Sequence, residues 1–296
     1  MKNRTKGIVL ALTSAFAFGL SPIFTTITLN EGSNGIMTMF LRNLISIPLL
    51  LAFILYFGIS LKLSKKQFFQ LTILNIIGAS TTGCLLFSSY KYTGISLATC
   101  LHFVYPVLIM IACLYIFKEK PTIAKIAALI LSLLGIFLSL DIQTFNLIGF
   151  SMALISGVTY AFYVIYLDKT GLKLHNVAVI TLYSCIINSI CIFIFSLFTE
   201  TFTLDISIKG WGSAVMVAIL STIIGVAFLQ AALQYIDSPT AAIMCTMEPV
   251  TSVILAIIIL NESVGVMKLI SCVLIISAVF VIALDNKRGY AGGVDE

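Results

Sequence analysis

Ten apolar runs of about 20 residues succeed one another along the chain, at roughly 7–29, 35–57, 68–92, 95–117, 122–140, 147–167, 176–198, 211–236, 239–260 and 265–284. Backbone inside hydrocarbon finds no water, so it must satisfy its own hydrogen bonds, and runs of this length are bilayer-crossing helices. The joins are short, and the longest, near 58–67 and 199–210, have no room for a soluble domain. Composition points the same way. Only 10% of the 296 residues are charged and 60% are hydrophobic, whereas a soluble domain carries about 25% charged residues to cover its surface. The expected fold class is an all-α integral membrane protein with ten transmembrane helices. The net charge of +5 implies no nucleic-acid partner, because the Lys and Arg residues flank apolar runs, where topology explains them.

The bias of Lys and Arg among short loops sets orientation. With the N-terminus inside, the cytoplasmic loops collect Lys2, Arg4, Lys6, Lys62, Lys65, Lys66, Lys118, Lys120, Lys125, Lys169, Lys173, Lys287 and Arg288. The outer loops keep Lys91, Lys209 and Lys268, and Arg42 falls inside the second run. Both termini are therefore expected to be cytoplasmic in a multi-pass plasma-membrane protein. The basic N-terminus followed by an apolar run imitates a signal peptide, but the run continues to about Leu29, too long for a signal core, so an uncleaved first span is expected.

The runs are duplicated. Displaced by 143 positions, the stretch GISLATCLHFVYPVLIMIACLYIFKEK from Gly94 falls on DSPTAAIMCTMEPVTSVILAIIILNES from Asp237, so that Pro106 meets Pro249, Ala98 meets Ala241 and Glu119 meets Glu262. Gly7, Ala11 and Ser14 likewise match Gly149, Ala153 and Ser156 at a shift of 142. The chain thus reads as two five-span halves, 1–140 and 141–285, with a polar, Gly-rich tail at 286–296 expected to be disordered and cytoplasmic. Five is odd, so the second half enters the membrane upside down. Two inverted repeats are an architecture of secondary transporters, whose sites lie near the midplane where the repeats meet.

The paired motifs YPVLIMIACLYIFKE (Tyr105–Glu119) and EPVTSVILAIIILNE (Glu248–Glu262), and the Arg of FLRN (Phe40–Asn43), resemble the EamA family of the drug/metabolite transporter superfamily over about residues 7–284. The resemblance implies a transporter of metabolites, amino acids or drugs, with a central cavity lined by spans one, three, four, six, eight and nine. It carries no motif of the nucleotide-sugar or small multidrug branches.

Glu248 falls at mid-depth of the ninth run, where an ionisable group is costly and marks a functional site by default. It would exchange a proton or pair with a cationic substrate; the structural alternative is a neutral, hydrogen-bonded carboxyl. Pro249 and Pro106 remove helical donors from the carbonyls of Cys245 and His102. Those carbonyls either line a cavity or simply mark kinks. His102 and Tyr105 share a face of span four, Tyr160 and Tyr163 share a face of span six, and Gln230 and Gln234, four apart, are placed on one face of span eight. Arg42 is a counter-ion for Glu248 or for an anionic substrate, or it snorkels to the outer headgroups. Polar side chains in such helices also serve as interhelical glue.

No catalytic residue, metal site or cofactor is expected. The seven cysteines form no CxxC pair, no His lies at a ligand spacing, and no Walker motif is present. The expected function is secondary transport of a small organic metabolite, with an amino acid foremost, or of a drug, by alternating access in the export direction. A coupling proton is the expected partner besides substrate and bilayer, facilitated diffusion is equally compatible with the sequence, and the sequence leaves room for a homodimer. The alternatives are an uptake permease of the same fold, an integral membrane enzyme, which would need a denser cluster of ionisable groups at one face, and a non-transporting membrane subunit.

Overall fold

The computed structural model describes residues 2–138, 146–260 and 265–285. Expectations for Glu262 and for the 286–296 tail lie outside these residues. The described chain is helical throughout and contains no strand. It runs α1 Lys2–Asn30, α2 Gly35–Tyr56, α3 Lys65–Ile73, a π-helical segment Leu74–Ser80, α4 Thr81–His102, α5 Tyr105–Tyr115, α6 Ile123–Leu138 and α7 Leu147–Lys169. It continues with a 3₁₀ turn Gly171–Leu174, α8 Val177–Phe198, α9 Ile208–Val217, a second π-helical segment Ala218–Val226, α10 Ala227–Ala232, α11 Ser238–Cys245, α12 Met247–Leu260 and α13 Val266–Asp285. Short polar side chains start these helices by accepting from otherwise orphaned amides. Asn34 caps α2, Asn146 caps α7, Asn176 caps α8 and Asp237 caps α11. Ser64 and Gln67 form a reciprocal capping box on α3.

Among the described residues seven helices are long and apolar enough to cross a membrane, against ten apolar runs in the sequence. The difference has local causes. Ile123–Leu138 and Leu269–Asp285 are apolar but shorter. The ninth run is divided between α11 and α12 by a turn at Thr246. The fourth is divided at Phe103–Val104, two residues before Pro106. The two breaks are equivalent under the 143-residue shift. The chain also reverses within Thr81–His102, because Thr82 and His102 both hydrogen-bond Ser156, at 3.5 Å and 2.9 Å. A straight helix of that length would hold them about 30 Å apart.

The helices pack across the duplication. α1 lies against α9, the second π-helical segment, α10 and α12, while α7 lies against the first π-helical segment, α4 and α5. α2 packs on α8 and α6 on α13. Two glycines show how closely the contacts correspond. A methyl at Gly7 would stand 2.8 Å from Tyr235 Cβ, 2.8 Å from Ile236 Cγ2 and 3.3 Å from the Ala232 carbonyl oxygen. One at Gly149 would stand 2.6 Å from Tyr92 Cβ, 2.7 Å from Thr93 Cγ2 and 3.3 Å from the Ser89 carbonyl oxygen. Each neighbour of Gly149 is displaced by 143 from a neighbour of Gly7. Small residues here let helices close together where lipid supplies no hydrophobic drive between them.

Lys6 donates to Tyr235 Oη, Lys125 pairs with Asp237, and Thr122 donates to Asp285. The starts of α1 and α6, the start of α11 and the end of α13 therefore share one face, here called the termini face. On the opposite face Glu31 accepts from Ser207 Oγ at 2.6 Å and pairs with Lys209 at 3.1 Å. The Ser207 hydroxyl, then the Lys209 ammonium, hold its carboxyl below the usual range.

Candidate functional site

A cavity of about 580 Å³ lies among the helices. It takes Phe18, Ser21, Pro22 and Thr25 from α1, Met39, Arg42 and Asn43 from α2, and Asn75 to Tyr90 positions from the first π-helical segment and α4. Thr99, Cys100, His102, Phe103 and Tyr105 come from the fourth run, Tyr160 and Tyr163 from α7, and Thr181, Ser184, Cys185 and Asn188 from α8. Val217 to Leu229 and Cys245 to Val253 supply the rest. On α1, α2 and α4 these residues fall at mid-depth and toward the face opposite the termini, whereas on α7 and α8 they fall at mid-depth and toward the termini face. α11 runs from the termini face to the cavity, which its last residue, Cys245, lines, and Ala241, Ala242, Ile243 and Met244 of α11 are buried, as are Leu167 and Leu172. The resemblance implied six lining spans; α2 and α8 contribute as well.

One carboxylate and one guanidinium enter this cavity, and they are not paired with each other. Glu248 and Arg42 take part in no ion pair among the described residues, which corrects the expectation that Arg42 is the counter-ion of Glu248. Arg42 Nε is buried without a partner, and Arg42 lines the cavity rather than snorkelling outward. Tyr90, Tyr105, Tyr160 and Tyr163 line the same cavity as Glu248 and Arg42. The two charged groups are thus separate stations of one cavity, beyond ion-pair distance of each other.

Part of the lining is an aromatic wall. The Tyr105 and Tyr160 rings lie 4.8 Å apart edge to face, His102 lies 5.4 Å from Tyr105 and 5.2 Å from Tyr160, and Tyr160 stacks on Tyr163 at 5.9 Å. Such geometries are favoured by the ring quadrupoles. Ser156 Oγ donates to the Ala153 carbonyl at 2.6 Å, which leaves its oxygen to accept from His102 Nδ1–H at 2.9 Å. That assigns Nε2 as the acceptor nitrogen of the ring.

Several expected residues lie elsewhere. Gln230 sits behind the wall, where Nε2 donates to Tyr163 Oη at 2.9 Å and Oε1 accepts from Thr181 Oγ1 at 2.8 Å. Gln234 does not share its face, because α10 ends at Ala232; Gln234 lies in the following turn and donates to the His175 carbonyl. Pro249 lines the cavity and Pro106 does not. The His102 carbonyl faces α7: a methyl at Gly157 would stand 2.7 Å from it. Glu248 presents its own carbonyl to α1 in the same manner, 2.7 Å from a methyl at Gly19. Glu119 pairs with Lys169 away from the cavity.

Sequence reasoning missed a set of asparagines. Ser80 Oγ donates to Asn188 Oδ1 at 2.7 Å, Asn188 reaches Asn43 at 3.5 Å, and Asn75 donates to Ser184 at 3.0 Å. Each is a lone Asn inside an apolar run, a visible signal, since a buried amide must find partners across helices. Pro22, within α1 at the cavity wall, carried the same kind of signal.

Comparison with known proteins places this architecture. The model of the EamA-like transporter family matches the chain twice, over residues 5–140 and 147–284. This chain belongs to the EamA-like transporter family. A Salmonella typhimurium (strain LT2) protein, the uncharacterized inner membrane transporter YicL, is 23% identical over 97% of this chain and 98% of its own length. A solved crystal structure, 16% identical, covers 95% of this chain and 99% of its own at a TM-score of 0.81, a likeness of fold alone. The EamA assignment makes the chain a multi-pass membrane transporter and points away from an enzyme.

Proposed function

We propose that this EamA transporter is a secondary transporter of a small organic zwitterion, an amino acid foremost, exporting it across the plasma membrane by alternating access. Its ten spans form two inverted repeats, 1–140 and 141–285, with both termini cytoplasmic. The twofold match of the family model and the corresponding packing of Gly7 and Gly149 support the repeat. An inner-membrane relative of nearly full length supports the location.

The observation that carries the substrate reading is the separation of Glu248 and Arg42 within one largely apolar cavity. Buried charges are normally paired because desolvation is costly. A ligand bearing an ammonium and a carboxylate satisfies both stations, with its body against Tyr105 and Tyr160. Glu248 is the residue proposed to exchange a coupling proton when the substrate leaves.

The test is thermal stabilisation of the purified protein by amino acids, by matched amines and by matched carboxylates. A specific ligand at 100 Kd stabilises by about 2.7 kcal/mol. A zwitterion is expected to raise the melting temperature where neither half-molecule does at equal concentration. Equal shifts from all three classes overturn the zwitterion reading. Loading of the effective ligand into proteoliposomes then distinguishes export from uptake.

A further inference from the structure

Asp168, in the last turn of α7, is only 3% exposed and was not singled out by the sequence. Its Oδ2 accepts from Ser238 Oγ at 3.0 Å and from the Ser238 amide at 3.3 Å, and its Oδ1 accepts from Lys173 Nζ at 2.8 Å. Lys169 Nζ stands 3.4 Å from the same carboxylate and also pairs with Glu119. Ser238 opens α11, and Asp237, which caps α11, pairs with Lys125 of α6. The first turn of α11 is thereby fastened to α7 and α6. α11 is buried over its whole length and leads from this face to the cavity, which Cys245 lines. Beneath the fastening, Cys113 Sγ lies 3.7 Å from Ser238 Oγ and is 2% exposed.

The duplication makes the cluster one-sided. Under the same shifts Asp168 and Ser238 correspond to Thr26 and Ile95, Asp237 corresponds to Gly94, and Lys169 corresponds to Ile27. Each polar pair of the termini face has lost at least one member in its repeat-equivalent position. On α1, α2 and α4 the cavity lining extends toward the opposite face, where the described pair is Glu31 with Lys209.

We infer that Asp168 is the closing residue of a gate on the termini face, which holds the resting protein shut on that side. The inference rests on the alternating-access reading. Surface ion pairs contribute little, so Lys169–Glu119 is secondary. Asp168 is buried, and bonds to a buried charge are the strong members of such a set.

Cys113 is a built-in reporter. In a variant keeping Cys113 and replacing the other six cysteines with Ser or Ala, N-ethylmaleimide labelling without substrate reads gate opening directly. Asp168→Asn keeps the shape and removes the charge. It is expected to speed labelling by about tenfold or more, the change that loss of one charge-assisted bond produces. Glu31→Gln, on the opposite face, is expected to leave the rate unchanged. If Asp168→Asn yields no folded protein, Lys173→Gln is expected to speed labelling in the same direction. A folded variant of either kind with an unchanged rate overturns the gate. Accelerated labelling with no flux of any zwitterion upholds the gate and sinks the substrate reading; unchanged labelling with intact flux does the reverse.

Discussion

Gly157 sits where α7 crosses the break in the fourth run. A methyl there would stand 2.6 Å from Val104 Cγ1 and 2.7 Å from the His102 carbonyl oxygen. Ordinary contact needs about 3.5 Å, so Gly157→Ala forces the break away from α7 by nearly 1 Å. The flexible valine end can turn aside; the carbonyl is backbone and must move with its helix. Overpacking of this kind costs about 1–3 kcal/mol, which for a chain of this size lowers the melting temperature by about 2–5 °C. The displaced segment carries His102 and Tyr105, so the aromatic wall moves with it. The assay is thermal unfolding of the purified protein beside Gly171→Ala, whose added methyl meets nothing within 4 Å. Gly171→Ala is expected to be neutral. If Gly157→Ala is as stable as the control, the packing of α7 on the break is not as described and the argument from Gly157 fails.

Other outcomes follow from the same structure. Gln230→Leu removes two buried hydrogen bonds, each worth about 0.6 kcal/mol between membrane helices; a loss of roughly 1 kcal/mol in thermal unfolding is expected, and an unchanged melting temperature contradicts the bridge to Tyr163. The Asp237 carboxyl is raised by burial but held, on balance, below the usual range by Lys125 and by Thr240. A depressed carboxyl stabilises above its unfolded pKa of about 3.9 and loses that contribution as pH falls through the folded value. Wild type is therefore expected to lose more stability than Lys125→Gln between about pH 5 and pH 3; parallel pH profiles contradict this.

How much was legible in the sequence depended on whether the signal was local. Helix-long apolar runs and the 143-residue echo are properties of the string, and Pro106 and Pro249 marked breaks that the structure places just before them. Three things were not local. Gln234 was put on the face of Gln230 because spacing ignores where a helix ends, and α10 ends at Ala232. Arg42 and Glu248 were offered as partners because opposite charges attract, yet the cavity keeps them apart. Asp168 and Ser238 lie 70 positions apart, and only tertiary packing brings them together. The asparagines of α2, α8 and the first π-helical segment are legible as amides in apolar runs, but they carry no charge and the 143-residue echo does not repeat them.

The central claim is that Glu248 handles the proton in transport through this cavity. The measurement is flux of the stabilising zwitterion in proteoliposomes under an imposed pH gradient, for wild type and Glu248→Gln. The substitution keeps the shape and removes the exchangeable charge. The account predicts that Glu248→Gln loses gradient-driven flux while still being melted at a temperature near that of wild type. Wild-type flux with wild-type pH dependence in the variant contradicts it.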